Sequence, residues 1–151
     1  MKLKKKYVDI NDTLRHIRVQ VMHSIPFARE VCPDFQNPAQ LFSWLKSRTT
    51  YKNDPRGVEL LQSMQTLFNG DYHGTPGAGD CDCFTIAALA CMHVQQWPGP
   101  LWIKIAGRDR SAPVHIWAGL DYKGKPFALD LTEKQPDKER SYPYVQKIYY
   151  K

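Results

Sequence analysis

Three residue types that together perform nucleophilic acyl chemistry recur at suggestive places in this 151-residue chain: a cysteine, a histidine and an aspartate. Residues 77–88 read Gly-Ala-Gly-Asp-Cys-Asp-Cys-Phe-Thr-Ile-Ala-Ala, a glycine-rich turn that ends on an acidic residue before an apolar helical run. Cys81 is thereby expected at a helix N-terminus, where unpaired backbone N–H groups and the helix dipole favour a thiolate. Asp80 reads as the cap of that helix, and Asp82 as an acidic residue suited to its first turn.

The histidine and aspartate come from a predicted hairpin. Val114, Ile116, Ala118 and Leu120 alternate with His115, Trp117, Gly119 and Asp121, and Phe127, Leu129 and Leu131 alternate with Ala128, Asp130 and Thr132. Period-two alternation predicts two strands. If Lys123-Gly124 is the turn, Tyr122 pairs with Lys125, Trp117 faces Asp130 and His115 faces Thr132. Asp130 is then a diagonal neighbour of His115 on one face. A slip of one residue would part them. The other face, with Ile116, Ala118, Phe127 and Leu129, is the expected core side. A carboxylate beside an imidazole sets its tautomer and stabilises its charged form. Cys81, His115 and Asp130 thus form a candidate nucleophile, general acid/base and orienting group.

The remaining elements must position these residues. Asp12 or Thr13 is expected to cap a helix carrying Leu14, Ile17, Val21 and Ile25, which Pro26 should end or redirect. Asn37-Pro38 reads as an N-cap followed by a proline at N1, with Leu41, Phe42 and Leu45 as the apolar stripe behind it. Asp54-Pro55-Arg56-Gly57 is a turn, 58–68 a short helical segment, 69–79 a loop, and the Cys81 helix runs to about Val94. Leu101, Ile103 and Ile105 mark another strand, and 144–150 a fourth. Helices first and strands later predict a single α+β domain over 1–151, with the Cys81 helix packed on a small antiparallel sheet.

Composition narrows the possibilities. The net charge is +6, with Lys2, Lys4, Lys5 and Lys6 in a basic tail over 1–6. Such a tail reads as a solvated arm. A basic module binding polyanions is a further reading, although nucleic acid is not the expected partner. No run is long and apolar enough to span a membrane, and the basic start lacks the apolar stretch of a signal peptide, so a cytoplasmic address is expected. The four cysteines, Cys32, Cys81, Cys83 and Cys91, then read as reduced thiols. Cys81 and Cys83, at i and i+2 of one helix, make a poor disulfide pair. Zinc through Cys81, Cys83, Cys91 and His93 conflicts with the helix, which would hold Cys81 and Cys91 about 15 Å apart. No metal or cofactor is expected, and no phosphate-binding glycine loop or calcium loop is present.

The run Gly79-Asp80-Cys81-Asp82-Cys83-Phe84-Thr85, then His115 on a strand, then Leu129-Asp130-Leu131-Thr132, resembles the transglutaminase-like superfamily of papain-type thiol enzymes, with separations of 34 and 15 residues between the three members. The resemblance covers about residues 70–132. Upstream, Tyr51, Asp54, Gly57, Glu59, Leu60, Leu61 and Gln62 resemble the approach segment of small members from bacteriophages and mobile elements. Cys83 stands where many members carry an acidic residue, and Thr85 replaces the usual alanine. The resemblance implies a papain/transglutaminase-like core, Cys81 as nucleophile, His115 as base and Asp130 as orienting carboxylate. It implies acyl transfer on amide bonds of a protein or peptide, by hydrolysis or by transamidation to an amine. It also implies an alternative: a non-catalytic structural or assembly protein that keeps the fold, with phage structural proteins as partners. Tyr72, His73 and Trp117 are expected to line the substrate cleft.

Overall fold

The structure, a computed structural model, describes residues 2–3, 10–55, 59–111 and 113–150. Strand β1 (Lys2–Leu3) is followed by helices α1 (Ile10–Val31) and α2 (Pro38–Arg48), strands β2 (Thr50–Tyr51) and β3 (Glu59–Leu60), and helix α3 (Met64–Asn69). Strand β4 (Ala78–Gly79) leads into helix α4 (Cys81–Gln95), and β5 (Leu101–Gly107), β6 (Pro113–Tyr122), β7 (Lys125–Leu129) and β8 (Tyr144–Tyr150) complete the chain. The architecture is α+β. Four strands form an antiparallel sheet in the order β7-β6-β5-β8, β1 pairs antiparallel with β3, and β2 pairs parallel with β4.

Helix α4 is the centre of the molecule. Every residue from Asp82 to Met92 is buried, as expected of a helix covered on all sides rather than on one stripe. It packs between α1 and the sheet, chiefly on β6. Ile17, Val21 and Ala28 of α1, Ile86 and Leu89 of α4, and Ile103, Ile116, Ala118, Leu120 and Leu129 of the sheet share one core. The opposite sheet face carries a smaller cluster of Trp102, Ala106, Trp117 and Ala128, with Tyr142 against it. Gly119 lets this second cluster form: a Cβ there would stand 2.3 Å from Trp102 Cζ2 and 2.5 Å from the Phe127 carbonyl oxygen.

Several expectations are corrected. Pro26 does not end α1, which continues to Val31. A helical proline leaves carbonyls one turn back without their N–H partners. Here Met22, four residues before it, is exposed to solvent, and the His23 carbonyl accepts from Gln65 Nε2 at 3.0 Å. The segment 58–68 is not one helix. Glu59 and Leu60 pair with β1, and Ser63 caps α3, its hydroxyl accepting from Thr66 N. A short apolar run is ambiguous between the two periodicities, and the strand partner decided it. The basic tail is not wholly free, because Lys2 and Leu3 pair with Leu60 and Glu59. Lys4, Lys5, Lys6, Arg56, Gly57 and Val58 lie outside the described residues. The hairpin has the expected register, with Tyr122 opposite Lys125 and Ala118 opposite Leu129. Asn37 caps α2 with Pro38 at its first turn. Among the described residues no helix is long and apolar enough to cross a membrane.

Candidate active site

Cys81 is the first residue of α4. Asp80 has extended backbone and its carboxylate accepts from Cys83 N at 3.4 Å, which starts the helix. Thr85, one turn on, ties this end to the sheet: its hydroxyl lies 2.8 Å from the Cys81 carbonyl and 3.4 Å from that of Ile116. The backbone N–H of Ile116 reaches the Cys81 thiol, and the charge of Asp130 acts on it. The start of α4 is therefore set against β6 at Ile116, the residue after His115, and Cys81 is not among the walls of the cavity beside His115.

His115 and Asp130 meet directly. Nε2 of His115 lies 2.6 Å from Oδ2 of Asp130, with the carboxylate almost wholly buried. The other carboxylate oxygen accepts from the Thr132 hydroxyl at 2.6 Å and from Thr132 N at 3.0 Å. Burial pushes the Asp130 carboxyl up, but the bonds and charge from His115 and the bonds from Thr132 outweigh it and hold the group below the ordinary carboxylate range. An ionised carboxylate can only accept, so Nε2 carries the hydrogen, and Nδ1 is the nitrogen left to take a proton. A bulge near His115 aids the placement. The β5–β6 register jumps from Ala106–His115 to Gly107–Pro113, leaving Val114 unpaired. Bulges re-aim neighbouring side chains in this way.

Beside His115 is a cavity of about 360 Å³, walled by Tyr51, Phe84, Val114 and Tyr142, with Lys46, Thr132 and Arg140 contributing polar groups. The Lys46 ammonium donates to the Leu131 carbonyl at 2.8 Å, whereas Arg140 is paired with Glu133 at 2.8 Å. Trp117 does not line the cavity. It stacks on His115, ring centroids 5.2 Å apart, and its indole N–H donates to Glu139 at 2.8 Å, an acceptor shared with Lys104. Tyr142 stacks on His115 from 6.0 Å.

Tyr72 and His73 are not among the cavity's walls. His73 Nε2 instead faces Asp54 Oδ1 at 3.5 Å, both side chains being nearly buried. Asp54 in turn contacts Asp80. Burial first, then the charge and hydrogen bonding of Asp54, raise the Asp80 carboxyl to about 7 against its contacts with Cys83. The thiol of Cys81 is also pushed well above the ordinary range, by burial and then by the charges of Asp82 and Asp80, with the Ile116 N–H acting in the opposite sense. This corrects the thiolate expected from the helix terminus alone. Acidic residues suited to a helix start oppose a second negative charge beside them.

Cys83 is buried, its sulfur accepting from Gln62 Nε2 at 3.5 Å. Among the described residues no group of three His, Cys, Asp or Glu could hold a metal ion. Sequence reasoning missed Glu139, Arg140 and Tyr142, and named Asp54 only in the turn and the approach segment, without its contact to Asp80. Only Thr132 had a local signal, because a hydroxyl two residues after an aspartate commonly bonds back to it. Comparison with known proteins finds no family model that matches this chain and no curated protein or solved structure similar to it.

Proposed function

We propose that this protein is a cysteine-nucleophile acyl-transfer enzyme of papain/transglutaminase-like fold that acts on an amide of a protein or peptide, with hydrolysis as the second half-reaction. The observation that carries the reading is the 2.6 Å His115–Asp130 contact at the edge of a cavity, on the strand against which the Cys81 helix begins. The resemblance of 70–132 to transglutaminase-like enzymes supports the same assignment.

With the thiol neutral at rest, His115 acts as a base during attack rather than as half of a standing ion pair. The Cys81 sulfur bonds to the amide carbonyl carbon as its proton passes to Nδ1 of His115. In this reading the Cys81 backbone N–H, at the helix start, stabilises the oxyanion. The C–N bond breaks, His115 returns its proton to the leaving amine, and a thioester remains. Water, deprotonated by His115, cleaves the thioester to a carboxylic acid and free thiol. An amine in place of water would give a cross-link. Asp130 holds the ring and stabilises its cation, and Thr132 fixes the carboxylate.

A second reading, a non-catalytic structural or assembly protein retaining the fold, is favoured by one observation, the raised Cys81 thiol. Labelling by a peptidyl chloromethyl ketone separates the two. The enzyme reading expects Cys81 to be alkylated at pH 7 at least tenfold faster in the wild type than in His115→Ala, with both proteins folded by circular dichroism. Equal rates overturn it and leave the structural reading.

A further inference from the structure

Two cysteines take no part in the site above. Cys32 follows directly on α1, its N–H bonded to the Ala28 carbonyl at 2.8 Å, and is half-buried between the end of α1 and exposed Pro33. Cys91 lies in the buried stretch of α4, its sulfur 3.6 Å from Met64 Sδ, and its thiol and that of Cys32 act on each other's ionisation. Gln95, one turn beyond Cys91, clamps the partner segment. Its Nε2 lies 3.3 Å from Cys32 Sγ and 2.8 Å from the Pro33 carbonyl, and its Oε1 accepts from Phe35 N at 2.9 Å. The Cys32 thiol, just beyond α1, is thus held against α4 one turn from Cys91.

We propose that Cys32 and Cys91 are a peroxide-oxidisable dithiol that closes to a disulfide joining the C-terminal ends of α1 and α4. The division of labour follows from their surroundings. Cys32 is reachable from solvent. Hydrogen bonding from Cys91, opposed by burial and aided by Gln95, holds its thiol below the ordinary pKa despite the nearby charge of Asp34. It is the attacking thiolate. Cys91 is pushed up by its bond to Cys32 and by burial, and serves as the resolving thiol. Cys81 and Cys83 are disfavoured as thiolates by burial and by Asp80 and Asp82.

The oxidant class is a hydroperoxide. The Cys32 thiolate bonds to one peroxide oxygen, the O–O bond breaks, and hydroxide leaves to be protonated to water. The product is a sulfenic acid. The Cys91 sulfur then attacks the Cys32 sulfur, the S–O bond breaks, and a second water departs with the Cys91 proton. Overall two thiols and one hydrogen peroxide give one disulfide and two waters.

The test treats reduced full-length protein with stoichiometric hydrogen peroxide and reads intact mass, free thiols and the disulfide-linked peptides. Two of the four thiols should be lost with two hydrogens, about 2 Da. The linked peptide should contain Cys32 and Cys91, the change should reverse with dithiothreitol, and the melting temperature should rise. Cys32→Ser should abolish the link, and Cys91→Ser should leave a sulfenic acid that dimedone captures. Cys81→Ala should oxidise as the wild type does, which separates this inference from the acyl-transfer reading. A link to Cys81 or Cys83, or four free thiols after treatment, overturns the proposal. Because Cys91 is buried, its variant can fail to fold; the wild-type peptide map and Cys32→Ser at the protein's rim still decide.

Discussion

Asp80→Asn isolates the electrostatics of the Cys81 helix start. Asp80 is both the cap of α4 and a carboxyl raised to about 7 by burial and by Asp54. The folded protein therefore retains a proton that the unfolded chain releases near its ordinary value of 3.8. A raised folded value makes the associated stability complete below about 4 and progressively lost as pH rises through about 7. The full displacement corresponds to a ceiling of about 4 kcal/mol. Sharing the proton with Asp54 broadens the loss across the same window. Asparagine keeps an oxygen to accept from Cys83 N, so the cap survives, but it carries no charge. Urea unfolding should show wild-type stability falling by about 2 kcal/mol or more between pH 5 and 8. Asp80→Asn should be flatter and more stable than the wild type at pH 8. Removing the charge should also lower the Cys81 thiol and speed its alkylation by iodoacetamide at pH 8. Parallel stability profiles for the two proteins would refute the reasoning, since they would mean that Asp80 does not hold the proton.

Substitutions at three further positions probe the frame around the site. Gly119→Ala brings a methyl into the Trp102 ring and the Phe127 carbonyl, and should cost about 2 kcal/mol or more, read by urea unfolding with tryptophan fluorescence. Asp130→Ala strands His115 and Thr132 and should cost about 3 kcal/mol at pH 7. Because the Asp130 carboxyl is held below its ordinary range, its stabilising contribution is full above that range and disappears as pH falls through the folded value, so the variant's deficit should shrink in acid. Glu139→Ala removes the acceptor shared by the Trp117 indole and Lys104; it should cost about 1 kcal/mol and alter the Trp117 fluorescence, whereas Glu139→Gln should retain the indole bond.

What was legible in the sequence is what local chemistry dictates. The period-two pattern around Lys123-Gly124 determines which side chains share a face, and the observed register follows it residue by residue. Asp80, Asn37 and their following residues mark helix starts through side-chain acceptors, which need no tertiary information. Pro26 shows the limit of such rules. The helix continues past it: the Met22 carbonyl, which loses its N–H partner, belongs to a residue exposed to solvent, and Gln65, forty-odd positions away in the chain, binds the neighbouring His23 carbonyl. The contact of Asp54 with Asp80 and the parts played by Glu139 and Tyr142 have no local signal for the same reason. Each reaches the site from a segment whose position depends on closure of the whole fold. A helix terminus alone favours the thiolate, but burial and the charges of Asp82 and Asp80, which stand beside Cys81 in the chain itself, oppose it.

The acidic helix start and the His115–Asp130 pair act on Cys81 in opposite directions. Asp80 and Asp82 favour the neutral thiol, while a proton accepted by His115 is stabilised by the nearly buried Asp130 carboxylate. Moving the thiol proton to the imidazole therefore separates charge in a partly buried site, where field strengths are higher than in water. A ligand in the Tyr51–Phe84–Tyr142 cavity would exclude more water and strengthen both the repulsion from Asp80 and the attraction from Asp130. Which of these grows more decides whether occupancy activates the thiol. A cavity ligand that speeds alkylation of Cys81 in the wild type, yet has no effect in Asp130→Asn, would assign the gain to the imidazole–carboxylate side; equal acceleration in both proteins would sink that account.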